Sequence, residues 1–289
     1  MSETTRIGND QITVDIAALG AEMQSITTAD GAQWLWHGDA KYWGGRSPIL
    51  FPMVGKAPND TISVDGKSYA MGQHGFARRS EFELVEANAT SCRFELMATE
   101  ASWQVYPFDF LLALTYEIEG RAVSITAEVS NRDHKLMPFG IGFHPAFVWP
   151  LPGSPADTHG VTLDNGAEPA LIRLDHGLVV PRELPSPFQA GMLVLEHDLF
   201  EADAMLFPEG AGVGLSYGCP GGPSIKIDWT NLPNLALWSK PDAPFICIEP
   251  WHGTAAEVGG SDELEKRPYS EVLGPGATAR FVMRVEVRE

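Results

Sequence analysis

The sequence predicts an all-β protein folded as one large antiparallel β-sandwich. Short segments that alternate apolar and polar residues recur along the whole chain, separated by turns containing Gly, Pro or Asn. That is the pattern of strands in sandwiches and barrels. Helical periodicity is confined to two short stretches, Asp198–Ala202 and Asp262–Lys266. No repeat, low-complexity linker or compositional shift divides the 289 residues. One domain, 1–289, is therefore expected, somewhat above the roughly 200–250 residues common for all-β domains.

The first strand candidate is Gln11–Ile16, followed by a hairpin of Glu22–Thr27 with Gln33–Trp36 around Ala29-Asp30-Gly31. Asp65-Gly66 between TISV and KSYAM is the strongest short hairpin signal, because both central residues tolerate the positive φ such a turn needs. Phe82–Val85 and Arg93–Met97 flank a polar turn at Asn88–Ser91, and Phe110–Ile118 pairs with Ala122–Val129 across Glu119-Gly120. Later candidates are Gly160–Leu163, Leu171–Leu174, Met192–Leu195, Ala204–Phe207, Val213–Tyr217, Ser224–Trp229, Leu235–Trp238, Phe245–Glu249 and Ala279–Val287. The proline-rich stretches Pro150–Pro155 and Pro181–Pro187 read as loops over the sheets.

Composition narrows the function. With 20 basic and 38 acidic residues the net charge is −18, which argues against nucleic acid or an anionic membrane as partner. No apolar run approaches the 18 or so residues of a membrane-spanning helix, and the N-terminus lacks a signal pattern, so a cytoplasmic protein is expected. Three widely spaced cysteines, Cys92, Cys219 and Cys247, form neither a disulfide framework nor a CxxC metal site.

Two segments share a design. In Met137–Trp149, MPFGIGFHPAFVW, a strand would put His144 on one face with Gly142 and Gly140, and Pro145 would end it. Glycines on one strand face mark a close approach by a ligand or another backbone. In Ala243–Gly253, APFICIEPWHG, Phe245, Cys247 and Glu249 would share a face, with Pro250 leaving Glu249 at the strand's tip. A carboxylate after so apolar a run is paired or kept in a cleft, because burying it alone is expensive. His144 and Glu249 are thus a candidate acid and base; the plainer alternatives are a structural histidine and a structural ion pair.

A second polar cluster carries Arg46 in GGRSP and His74, Arg78 and Arg79 in QHGFARR, with Lys56 between them. Lys56 and Arg79 read as solvated surface; beside Arg46 and His74, glycines permit a ligand to come close to the backbone. Trp43, Phe76, Phe147, Trp149 and Trp251 adjoin these polar candidates, and one or two could offer the flat apolar face that sugar C–H groups favour. His74, His144 and Glu249 could make a two-histidine, one-carboxylate metal set. No H-x-H or H-x-x-x-H pair supports it, and no metal is expected. Cys247, in an apolar strand, reads as an inert small hydrophobe rather than a nucleophile.

GRSPILFP, QHGFAR, GIGFHPAF and CIEPW, in this order and at these separations, resemble the aldose 1-epimerase (galactose mutarotase-like) family, and most its bacterial branch of general homologues. The resemblance spans nearly the whole chain. It implies a galactose mutarotase-like supersandwich with an open sugar cleft, and no metal or organic cofactor. Residue by residue it makes His144 similar to the family's general acid and Glu249 to its general base. His74 and Arg46 match its substrate-binding histidine and arginine. Its binding aspartate has no clear motif here, and Asp203 in LFEADAMLF is the best candidate. The implied activity is interconversion of the α and β anomers of a free aldohexose, with Glu249 starting ionised and His144 protonated. Their functional atoms are then expected roughly 5–8 Å apart, the span of two hydrogen bonds plus the two reacting oxygens. A hexose-6-phosphate 1-epimerase, with Arg46 and Arg78 clamping phosphate, and a non-catalytic sugar-binding protein are the alternatives.

Overall fold

The computed structural model describes residues 3–154 and 158–289. Pro155, the end of the first expected proline-rich loop, lies outside them. Strands dominate, and the few helical segments are single turns. The two expected helices are 3-10 turns, His197–Phe200 and Leu264–Lys266. The one α-turn among the described residues, Glu100–Trp103, is marked in the sequence only by a local capping box between Thr99 and Ser102, with no apolar periodicity. No helix of the described residues is long and apolar enough to cross a membrane.

Two sheets form the sandwich. The larger has nine antiparallel strands in the order Met192–Val194, Gly160–Leu163, Gly214–Gly218, Ser224–Thr230, Thr278–Arg288, Ala122–Asn131, Phe110–Glu119, Ser91–Met97 and Glu83–Ala87. Its register follows the alternation in the sequence: Val123 lies opposite Val285, Ile125 opposite Met283 and Ala127 opposite Phe281, all buried. Between them Ser124 faces Arg284 and Glu128 faces Arg280 on the outer side. The smaller sheet runs Met205–Phe207, Asn234–Trp238, Phe245–His252, Ile141–Phe143 and Ile49–Leu50, with Ala146–Val148 also paired to Phe245–His252. Side chains of both sheets, from Ile246, Ile248, Leu235 and Phe207 to Val123, Ile125 and Met283, join one buried apolar cluster.

The hairpin at Asp65-Gly66 forms as expected, with φ of 53° and 72°. Gln33–Trp36 does not form a strand. Trp34 and Trp36 instead alternate their bonds, Trp34 donating to Ile26 O and Trp36 to Ala146 O, which ties the first hairpin to the smaller sheet. Leu171–Leu174 is likewise reduced to isolated bridges and a two-residue strand, Leu174–Asp175.

The smaller sheet's two faces differ, and that places the site. Ile246 and Ile248 enter the main core, whereas Phe245, Cys247, Glu249 and Trp251 lie on the other face. There two small apolar clusters form, one around Trp36, Phe245 and Cys247, the other around Leu50, Leu206 and Trp251. Polar side chains converge between them.

Candidate active site

A break in one strand here faces a proline in its continuous neighbour. The Met137–Trp149 segment is not one strand. It divides into Met137–Phe139, Ile141–Phe143 and Ala146–Val148, so His144 and Pro145 sit in a break. The neighbouring Phe245–His252 strand runs straight through Pro250, contrary to the expectation that it ends there, and Glu249 lies in mid-strand. Ile248 donates its N–H to Pro145 O, so the next backbone nitrogen on that side belongs to Pro250. The missing donor of Pro250 therefore falls opposite the break, where no ladder partner is lost. Each proline is tolerated because of the other's surroundings, and the gap admits the His144 side chain beside Glu249.

The result is a close buried pair. His144 Nε2 lies 3.2 Å from Glu249 Oε2, with the two residues only 7% and 1% exposed. The contact falls short of hydrogen-bond geometry, leaving Oε2 and His144 Nδ1 without partners. The expected 5–8 Å gap is thus closed in the ligand-free site. Burial pushes the His144 imidazole down to about 3; a contact with its own backbone opposes this and the Arg78 guanidinium adds to it. Burial pushes the Glu249 carboxyl well above the ordinary range; the Asp203 charge adds to this, while the Trp251 indole N–H opposes it. Both shifts favour uncharged forms, so the empty pair holds its single proton on Glu249 rather than on His144. This reverses the expected starting state, because burial outweighs pairing when no ligand solvates the charges.

A pocket of about 260 Å³ opens over the pair, lined among others by Trp43, Trp238, Trp251, His74, Arg78 and Asp203. Trp43 stacks on the His144 ring at 4.9 Å and 24°, and Trp238 meets it edge-on at 5.9 Å. Of the five aromatics singled out from sequence, Trp43 and Trp251 line the pocket. Phe147 is core and Trp149 stacks on His197 instead. Gly142 on the His144 face and Gly45 beside Arg46 serve protein rather than ligand: a Cβ on Gly142 would lie 2.3 Å from the Trp251 ring, and one on Gly45 2.5 Å from Trp43. They let tryptophans stand against the backbone.

His74 is held from behind. It takes φ of 66°, and the following Gly75, at φ 71°, packs so tightly that a Cβ would lie 2.1 Å from Phe51 O. Gly55 donates its N–H to His74 Nδ1 at 3.1 Å and accepts the His74 N–H at 2.8 Å. A ring whose Nδ1 accepts carries its proton on Nε2 when neutral, and the Gln73 amide, 3.2 Å from that nitrogen, then turns its oxygen to accept it. Burial, then the charges of His144, Arg78, Arg79 and Arg267, keep it neutral. Buried Arg267 anchors the turn around Gly55, its Nη2 donating to Val54 O, Thr254 O and Lys56 O at 3.0, 2.9 and 3.3 Å. With no carboxylate partner among the described residues, its guanidinium is lowered to about 10 by burial.

Arg78 lines the pocket, and its guanidinium makes no hydrogen bond with any described residue. Arg46 is not brought there: it donates to Gln24 O at 3.1 Å, while its backbone N–H and that of Ser47 bond Glu22. Asp203 reaches the mouth at φ 66°, on a turn that Arg173 staples through Leu199 O and Asp203 O. Lys240, Gln73 and Trp238 also line the pocket, and sequence reasoning missed them. Trp238 was legible as a strand residue but not as a wall, since alternation does not say which face holds a site. Lys240 lies exposed with no pattern around it, whereas exposed Gln73 opens the QHGFAR motif but was given no role there.

A family model described as aldose 1-epimerase matches residues 3–177. The chain is similar to the chromosomal protein LacX of Lactococcus lactis subsp. lactis, 30% identical over 290 residues and covering 96% of this chain and 97% of that protein. Among solved structures, it resembles a galactose mutarotase related enzyme from Lactobacillus acidophilus, with a TM-score of 0.93, 27% identity and coverage of 99% and 98%. It also resembles a galactose mutarotase-like protein from Lactobacillus casei, with a TM-score of 0.88, 29% identity and coverage of 99% and 100%.

Proposed function

The chain belongs to the aldose 1-epimerase family, and from that premise we propose that it interconverts the α and β anomers of a free aldohexose by acid–base ring opening. The observation that carries the reading is the buried His144–Glu249 pair at 3.2 Å beneath a pocket walled by three tryptophans. An arriving sugar places its anomeric hydroxyl at Glu249 and its ring oxygen at His144, and these polar groups favour the ionised pair. The proton then moves from Glu249 to His144, where the stacked Trp43 face stabilises imidazolium by about 0.5–2 kcal/mol.

Glu249 removes the anomeric O–H proton as the carbonyl forms and the bond from the anomeric carbon to the ring oxygen breaks. His144 gives its proton to that oxygen. The open-chain intermediate thus faces a protonated Glu249 and a neutral His144, the state that burial favours. Rotation about C1–C2 presents the other carbonyl face, and the transfers run in reverse. His74 Nε2–H and Arg78 hold hydroxyls or the nascent carbonyl, Asp203 accepts from hydroxyls at the mouth, and the tryptophans take the C–H faces. Such a cycle consumes nothing, so no cofactor or metal is required. The partner is a small neutral sugar rather than nucleic acid or membrane, and the working place is the cytoplasm, where three free, buried cysteines stay reduced.

A phosphorylated hexose is the second reading, favoured by Arg78 and Lys240 lining one pocket. Asp203 offsets one of them, the His144–Glu249 pair is neutral overall, and the net charge of −18 disfavours an anionic substrate at long range, which supports the neutral sugar. Anomer exchange followed by NMR, with neutral aldoses competed against their 6-phosphates, decides. Preference for the ester, lost in Arg78→Ala, overturns the neutral substrate; no exchange with any sugar overturns the enzyme.

A further inference from the structure

Cys247 has no part in that cycle, yet it lies on the same strand face as Glu249, two residues away and fully buried. One ligand atom each from His144, Cys247 and Glu249 lie within 4.8 Å of one another, the one group of three such residues found among the described residues. We propose that these three side chains form an inhibitory site for Zn²⁺, which enters through the pocket and locks the acid and base together.

The donor set is an imidazole nitrogen, a thiol sulfur and a carboxylate oxygen, the types zinc prefers. Tetrahedral zinc with bonds of about 2.0–2.3 Å spaces its ligand atoms roughly 3.3–3.7 Å apart. The His144–Glu249 contact of 3.2 Å is already close to that edge, and the cysteine needs an approach of about 1 Å at most. Glu249 Oε2 is buried without a hydrogen-bond partner, so coordination through it meets a demand the protein leaves open. Charge balance agrees: one Zn²⁺, one thiolate, one carboxylate and a neutral imidazole sum to zero, which suits a buried site. The thiol and carboxyl protons leave to solvent as the ion binds. His144 and Glu249 line the pocket, so the fourth position would be filled from that side by water or a sugar hydroxyl. Three ligands with one open position resemble a catalytic zinc site, but here the metal occupies the groups that must exchange protons. That it inhibits rests on the function proposed above; that it binds does not.

The test separates the two. Co²⁺ titrated into the metal-free full-length protein is expected to give a thiolate-to-cobalt absorption band at one equivalent, absent in Cys247→Ser and Cys247→Ala. Zn²⁺ should abolish anomer exchange reversibly, with chelator restoring it. The Cys247 variants should retain exchange while needing at least about 10-fold more zinc for half-inhibition. The proposal is overturned if wild-type protein gives no thiolate band, if the band survives removal of Cys247, or if zinc inhibits wild type and both variants at equal concentration. A band without exchange on any sugar would leave the metal site standing and defeat the enzyme reading instead.

Discussion

His144 Nε2 and Glu249 Oε2 stand 3.2 Å apart because a strand breaks at His144-Pro145 directly beside Pro250 of its uninterrupted neighbour. The pair acts as a unit, since one member takes a proton as the other gives one. Glu249→Gln and His144→Asn are each expected to lower kcat for anomer exchange by about 10²–10⁴-fold. The double variant should lose little more than either single one. Multiplying losses in the double variant, measured by polarimetry or NMR exchange, would mean that the two residues work independently.

The pH dependence follows from the same burial. The free enzyme is competent while the pair holds one proton. A second proton must enter at His144, which burial has pushed down to about 3. The last proton leaves Glu249, which burial has pushed up. The kcat/KM profile should therefore be a broad plateau through neutral pH, with its acid limb far below the ordinary imidazole value of about 6.5. An acid limb near that ordinary value would show that His144 is solvated in the working enzyme.

The strand pattern of the larger sheet was legible because one face meets a continuous core, so alternation in the sequence fixes its register. The four polar residues His74, His144, Glu249 and Asp203 were legible too, the first three from motifs, and they do meet in one pocket. Arg46 was misplaced because a glycine-flanked arginine looks the same whether it faces a ligand or donates to a carbonyl such as Gln24 O. The strand-end reading of Glu249 failed for a related reason. A proline ends a strand only where its missing N–H was needed, and the break at His144 is 105 residues away in the chain. Arg267 was invisible, since its role exists only once three distant carbonyls converge.

A buried carboxyl kept for chemistry should cost stability. Its folded pKa is raised, so the folded state binds more protons than the unfolded one above the unfolded value. The stability it contributes is present below about 4.5 and is lost as pH rises through the folded value. Glu249→Gln should therefore gain on wild type with rising pH, by up to about 1.4 kcal/mol per unit across that window. Denaturant midpoints at pH 4.5 and 8 measure this; a gap that does not widen toward pH 8 would place the carboxyl in water.

Trp43 is expected to act on the charge of His144 more than on sugar affinity. Removing the stacked face in Trp43→Leu takes away stabilisation that exists only while the imidazole is protonated. Because that state precedes chemistry, kcat should fall about 3- to 30-fold, the equivalent of roughly 0.7–2 kcal/mol. An effect confined to KM would assign Trp43 to sugar packing alone.

Arg267 reaches substrate only through His74. Its guanidinium gathers Val54 O, Lys56 O and Thr254 O, which fixes the turn whose Gly55 N–H selects the Nε2–H tautomer. Arg267→Met strands three carbonyls and should destabilise by about 2–4 kcal/mol. Arg267→Lys keeps the charge but lacks the planar fork, so it should fold with a smaller loss while leaving the turn loose. The decisive readout is the ¹⁵N spectrum of the His74 ring. In wild type, Nδ1 should resonate as an acceptor and Nε2 as a donor; in Arg267→Lys the two tautomers should mix, and KM should rise several-fold with kcat less affected. A pure Nε2–H tautomer and unchanged KM in a folded Arg267→Lys protein would reduce Arg267 to a residue of the core.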